Sequence, residues 1–101
     1  MALTSYQKGR NFEYRVKKDL EKNSFVVRQA ASAFPDLIAV RECSGKKICV
    51  ECRVNGRISK TERMELIRLW VKYDIHPFIA RREKRKIKYY DVIFSEDVNA
   101  I

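Results

Sequence analysis

Between residues 47 and 81 the chain runs strand, capped helix, strand, and that succession constrains the fold more than any other feature. Lys47 to Val54 is rich in β-branched residues and reads as a strand. Ser59-x-x-Glu62 is a capping box, in which each residue's side chain binds the other's backbone N–H, so a helix starts at about Lys60. Pro77-Phe78-Ile79-Ala80-Arg81 then reads as a second strand. Two strands of one sheet joined through a helix lie parallel with a right-handed crossover.

The flanking segments complete the pattern. Residues 5–22 predict a helix: at about 100° per residue, Phe12, Val16, Gly9 and Leu20 fall within roughly 80° of one another. Glu13 lies on the rim of that apolar stripe, and Lys18, Lys22, Asn11 and Arg15 lie opposite. Phe25-Val26-Val27-Arg28 reads as a short strand, Gln29 to Phe34 as a small-residue loop, and Pro35 to Val40 as a strand that Pro can open. Cys43-Ser44-Gly45-Lys46 supplies turn chemistry, so 36–54 forms a hairpin. Glu83-Lys84-Arg85 is a charged turn before a last strand, Ile87 to Phe94. The order is α-β-β-β-α-β-β, a single α/β domain over residues 1–101 with a mixed sheet of about five strands flanked by helices.

On the second helix the apolar residues spread over more than half the circumference, beyond the roughly 100° that a one-sided helix needs. Met64, Ile67 and Val71 form one arc. Leu66, Leu69, Trp70 and Tyr73 form the other. One arc covers the sheet and the other calls for a second surface, so Leu66, Leu69, Trp70 and Tyr73 are the expected homodimer interface.

The chain carries 22 Lys+Arg against 13 Asp+Glu, a net charge of +9 on 101 residues. With 46% hydrophobic residues it can fill a core, which excludes wholesale disorder. Its apolar stretches are only a few residues long, so neither a membrane-spanning helix nor a secretory signal is expected. The charge points to a polyanion, above all nucleic acid. The three cysteines, Cys43, Cys49 and Cys52, are an odd count crowded into one segment, which fits reduced thiols in a cytoplasm. A zinc site at Cys49-x-x-Cys52 has no second ligand pair, and on a strand the two side chains point to opposite faces.

Two carboxylates stand out within the basic chain. Asp36 opens one arm of the hairpin and Glu51 lies on the other. Glu51 and Arg53 are two apart on a strand and share a face, while Glu13 approaches from the first helix. Three acids meeting in one place need a counter-charge. A divalent cation with oxygen ligands supplies it, and Mg²⁺, with Mn²⁺ as a substitute, suits carboxylates plus substrate phosphate.

The string Pro35-Asp36…Glu51-x-Arg53 resembles the PD-(D/E)XK nuclease motif with its last residue changed. Over nearly its full length the chain resembles the archaeal Holliday junction resolvases, a group with viral members. The likeness includes Lys8-Gly9-Arg10 with Glu13, Phe25-Val26-Val27-Arg28 followed by Ser32, Pro35 to Ala39, Cys49 to Arg53, and the Leu66-Ile67 helix leading to Pro77. It implies a restriction-endonuclease-like α/β core. It also implies that Asp36 and Glu51 ligate Mg²⁺ and Glu13 completes the acidic cluster. Ser32 would lie near the scissile phosphate, and Arg28 would support its loop or bind phosphate. A homodimer would cut opposing strands of a four-way DNA junction, with no small-molecule cofactor and no membrane.

Arg53 stands where that family has lysine. Arginine stays protonated and presents a planar fork, so it can orient water or stabilise transition-state charge but not act as a base; Lys60 or Lys47 are alternative sources of an ammonium. Lys8, Arg10, Arg28, Arg57, Lys60, Arg81 and Arg82 are the expected DNA contacts. The reading is a metal-dependent junction-resolving endonuclease, against two alternatives: a catalytically weak or inactive junction- or duplex-binding protein on the same fold, and an RNA-binding module.

Overall fold

The computed structural model describes residues 4–30 and 33–101. Helix α1 spans Ser5–Leu20, followed by β1 Ser24–Arg28, β2 Leu37–Arg41, β3 Lys47–Cys52, α2 Lys60–Tyr73, β4 His76–Glu83, β5 Lys86–Asp91 and β6 Glu96–Val98. Six strands form one sheet in chain order. The β3–β4 pair, bridged by α2, is parallel, and the other four pairs are antiparallel. The sequence-based order is therefore correct as far as β5.

Both helices begin on capping boxes. Thr4 and Gln7 exchange hydrogen bonds of 3.0 and 3.1 Å at the start of α1, and Ser59 and Glu62 exchange bonds of 2.9 and 3.1 Å at the start of α2. Each cap satisfies N–H groups that the first turn leaves without intrahelical partners. Helix α2 stops at Asp74, whose left-handed backbone (φ 56°) turns the chain back into β4.

Strand alternation divides the apolar residues between two layers. Phe12, Val16 and Leu20 of α1 pack with Val26, Leu37, Ala39, Ile48, Val50 and Ala80 on one face of the sheet. Cys49 and Ile79 point to the opposite face and meet Leu66 of α2 and Val92. Cys49 and Cys52 thus belong to different layers, and the three thiols are unpaired.

Two expectations are corrected. The sheet has a sixth strand, β6, beyond the strand expected to be the last. Its pairing with β5 joins Tyr89 to Val98 and Asp91 to Glu96, and Arg81 grips it through Asp97 at 2.7 Å. A segment of three residues, two of them acidic, carries no strand periodicity, so only its neighbours make it one. The second correction concerns α2. The arc laid on the sheet is the one carrying Leu66, which is fully buried (0% exposed); Met64 and Val71 face outward. Leu66 fills the space between Cys49, Ile79 and Val92, so it belongs to the protomer's own core and not to a free face. Trp70 is half-buried, its ring set edge-on to His76 at 5.0 Å. Leu69 is half-buried, and Tyr73 is exposed.

Candidate active site

The β2–β3 register sets the heart of the site. Leu37 pairs with Val50 in the antiparallel ladder, so Asp36, one step before Leu37, comes level with Glu51. The Asp36 N–H donates to Glu51 Oε1 at 3.1 Å, and the Cys52 N–H donates to Asp36 Oδ2 at 2.9 Å. Backbone amides therefore orient both carboxylates, and neither relies on side-chain luck to stay in place.

Arg53 follows on the same strand face as Glu51. Its Nε donates to Glu51 Oε2 at 2.8 Å, and its Nη2 contacts both Glu51 and Glu62. Its own N–H donates to the Ala80 carbonyl at 2.9 Å, which ties the end of β3 to β4. From α1, Glu13 reaches toward the same cleft, and Arg28 Nε donates to its Oε1. The cleft is open, with a volume of about 540 Å³. Glu13, Asp36, Glu51 and Arg53 all line it, joined by Tyr6, Arg10, Phe34, Glu62 and Glu65.

The electrostatics follow from this crowding. Glu51 is only 3% exposed. Burial, then the Asp36 side chain through its hydrogen bond and its charge, push its carboxyl up to about 8, against the opposing pull of Arg53. Glu62 is displaced the other way: the Ser59 N–H, with help from Arg53, holds its carboxyl below the usual range. Burial works against the charge on Arg53, but its bonds to Glu62 and Glu51 outweigh this and raise its pKa. Burial first, then the nearby acids, push the Cys52 thiol up, and burial raises Cys49 to about 12. Both thiols are therefore held protonated at neutral pH.

The donor set suits a hard cation in part. Among the described residues no three His, Cys, Asp or Glu side chains are gathered tightly enough to hold a metal ion; Glu13 lines the cleft but is paired with Arg28. Asp36 and Glu51 do adjoin, and burial, with the Asp36 side chain second, makes the charge on Glu51 costly; a bound cation would offset that cost. Mg²⁺ commonly takes one or two carboxylates with water and phosphate oxygens completing its shell, and these two residues fit that use.

Of the remaining expected residues, Ser32 lies outside the described residues. Lys8 and Arg10 lie on the half of α1 that borders the cleft, and Lys60 lies two residues before Glu62; all three are exposed. Arg57 is exposed and its carbonyl faces Arg53 Nη1 at 3.5 Å. Arg82 is exposed. Arg81 departs from expectation: it binds Asp97 at 2.7 and 3.3 Å and Glu83 at 3.2 Å. Its stem packs under Gly56, where a side-chain carbon would come within 2.9 Å of it. That arginine fastens β6 and packs against the 53–59 loop, its guanidinium engaged by two carboxylates. Glu62 is the site residue that sequence reading passed over. Its capping role explained it fully, and only the closing of α2 onto β3 brings it to Arg53.

No family model and no curated protein matches the sequence. Among solved structures the fold is similar to that of Hjc from Archaeoglobus fulgidus, a Holliday junction resolvase from an archaeal hyperthermophile. The TM-score is 0.71 at 19% sequence identity, over 92% of this chain and 80% of that one. The chain thus has the mixed α/β fold of that resolvase, with Asp36, Glu51 and Arg53 together in its cleft.

Proposed function

We propose that this protein is a metal-dependent, structure-specific endonuclease that cuts four-way DNA junctions as a homodimer in the cytoplasm. The observation that carries the reading is the pairing of Asp36 with Glu51 in an open cleft on a resolvase fold. In that reading Asp36 and Glu51 hold Mg²⁺, with Glu13 assisting through water. When bound, the cation lowers the pKa of water and stabilises charge on the phosphate undergoing displacement. Arg53 contributes a permanent positive charge and a planar donor fork toward the phosphate oxygens. Lys8, Arg10, Lys60 and the neighbouring basic surface hold the DNA backbone. Branch geometry, not base sequence, is what such contacts read.

Among the described residues one cleft gathers Asp36, Glu51 and Arg53, so paired cuts in two strands require two copies. Exposed apolar surface supports association: Met64, Val71 and Tyr73 on α2, and Phe25, Val27 and Val40 on β1 and β2.

A second reading rests on Arg53. Its double ion pair with Glu51 and Glu62 favours a junction-binding protein with weak or no cleavage, if the arginine holds Glu51 against a cation. A labelled four-way junction incubated with and without Mg²⁺, beside Asp36→Asn and Glu51→Gln, separates the two. Symmetric nicks that both variants lose support the endonuclease. Tight binding with no nick at any metal concentration supports the second reading, and a preference for RNA over branched DNA overturns both.

A further inference from the structure

The Glu62 carboxylate serves two structures at once. Its Oε1 accepts from the Ser59 N–H at 2.9 Å, closing the capping box of α2. Its Oε2 takes Nη2 of Arg53. The same guanidinium holds Glu51 Oε2 through Nε at 2.8 Å, and Glu51 Oε1 accepts the Asp36 N–H. Both oxygens of Glu51 are thus engaged, and any cation that takes Glu51 must compete with Arg53 for it. An arginine with no other partner would then either block the cation or leave the cleft. Glu62 is a second carboxylate on a different element, fixed by the helix cap and so unable to follow Glu51.

We propose that Glu62 is a positioning residue that retains the Arg53 guanidinium at the cleft wall while Glu51 passes to a divalent cation. The inference rests on the endonuclease reading for its purpose, though the pairing itself does not. It also accounts for arginine at this position. A fork with several donors can bridge two carboxylates and release one without losing the other, whereas a single ammonium on a flexible stem lacks that divided geometry.

Glu62→Gln isolates this role, because glutamine at the same helix position still closes a capping box. Three measurements on the full chain test it: thermal unfolding, Mn²⁺ and Mg²⁺ titration by calorimetry, and NMR of the Arg53 side-chain N–H groups. In Glu62→Gln the unfolding temperature stays within about 2 °C of wild type, as expected for a retained cap. Metal affinity falls about tenfold, because the guanidinium now rests on Glu51 alone. Rotation of the Arg53 Nη groups, restricted in the metal-free wild type, becomes averaged. In an Arg53→Lys background the same substitution changes metal affinity less than about twofold, the non-additivity expected of two groups in contact.

Unchanged affinity together with unchanged Nη rotation in Glu62→Gln overturns the proposal, and so does an equal loss in both backgrounds. If wild type binds neither metal, the endonuclease reading fails. The Nη rotation then decides the positioning role by itself: averaging in Glu62→Gln upholds it, and no change overturns it.

Discussion

Asp36 and Glu51 stand level across the β2–β3 ladder, and the Asp36 N–H donates to Glu51 Oε1 at 3.1 Å. The hydrogen bond keeps together two carboxylates that would otherwise separate, and burial at that place makes the charge on Glu51 costly.

That cost has a pH signature. The folded Glu51 carboxyl titrates near 8, above its ordinary value of 4.5, so between those values the metal-free folded state binds more protons than the unfolded one. Stability therefore falls as pH rises through that window. Glu51→Gln removes the dependence and unfolds at a higher temperature than wild type in alkaline, chelator-treated buffer, which calorimetric scans at pH 5, 7 and 9 check. A cation needs the ionised carboxylate, so binding tightens as pH rises toward 8 and then levels off. Below that point it weakens by up to about tenfold per pH unit and releases a proton. Titrations in buffers of different ionisation enthalpy measure the release; no proton release at pH 7 contradicts the prediction.

Arg53→Lys preserves or raises metal-dependent junction cleavage, since a lysine offers a compact charge to the attacking water and binds Glu51 less rigidly. Single-turnover cleavage of a labelled junction measures it. Loss of cleavage that wild type performs removes Arg53 from the role assigned to it.

The two sides of α2 respond differently to substitution. Leu66 is sealed between Cys49, Ile79 and Val92, so Leu66→Ala costs about 2–5 kcal/mol by denaturant unfolding. Val71 is 74% exposed. If that face is buried between two copies, Val71→Glu leaves the protomer's secondary structure intact while sedimentation shows a shift from dimer to monomer. A variant that sediments as wild type moves the interface elsewhere.

Salt dependence distinguishes arginines that bind DNA from those that hold the protein together. A dimer engaging about eight phosphates loses affinity with log salt at a slope near −7. Arg10 is exposed at the cleft, and Arg10→Ala in both copies lowers the slope's magnitude by about two. Arg81, tied to Asp97 and Glu83, behaves otherwise: Arg81→Ala lowers thermal stability and leaves the slope unchanged.

The fold was legible wherever chemistry acts over a few residues. The box Ser59-x-x-Glu62 placed the start of α2 at Lys60 because a cap is satisfied by groups three positions apart. The β-branched run from Lys47 to Val54 marked β3, because branched side chains pack well on a pleated strand. The sequence brings Asp36 and Glu51 together because a hairpin converts separation along the chain into adjacency across a ladder. Other features depended on how separate elements close on one another. Which arc of α2 meets the sheet was decided by the shape of the gap among Cys49, Ile79 and Val92, not by periodicity, since both arcs are apolar. Strand β6 exists because Tyr89 to Asp91 offer it an edge and Arg81 holds Asp97. Glu13 was expected among the acids and lines their cleft, but its pairing with Arg28 was not foreseen. By itself the sequence determined the elements from α1 to β5, their order and the placing of the two acids on facing arms of one hairpin, all of which follow from local periodicity, caps and turns. Only the tertiary structure decided that Glu62 meets Arg53 and that Arg81 is spent on β6, because charged side chains far apart in sequence choose partners only after packing has set their distances.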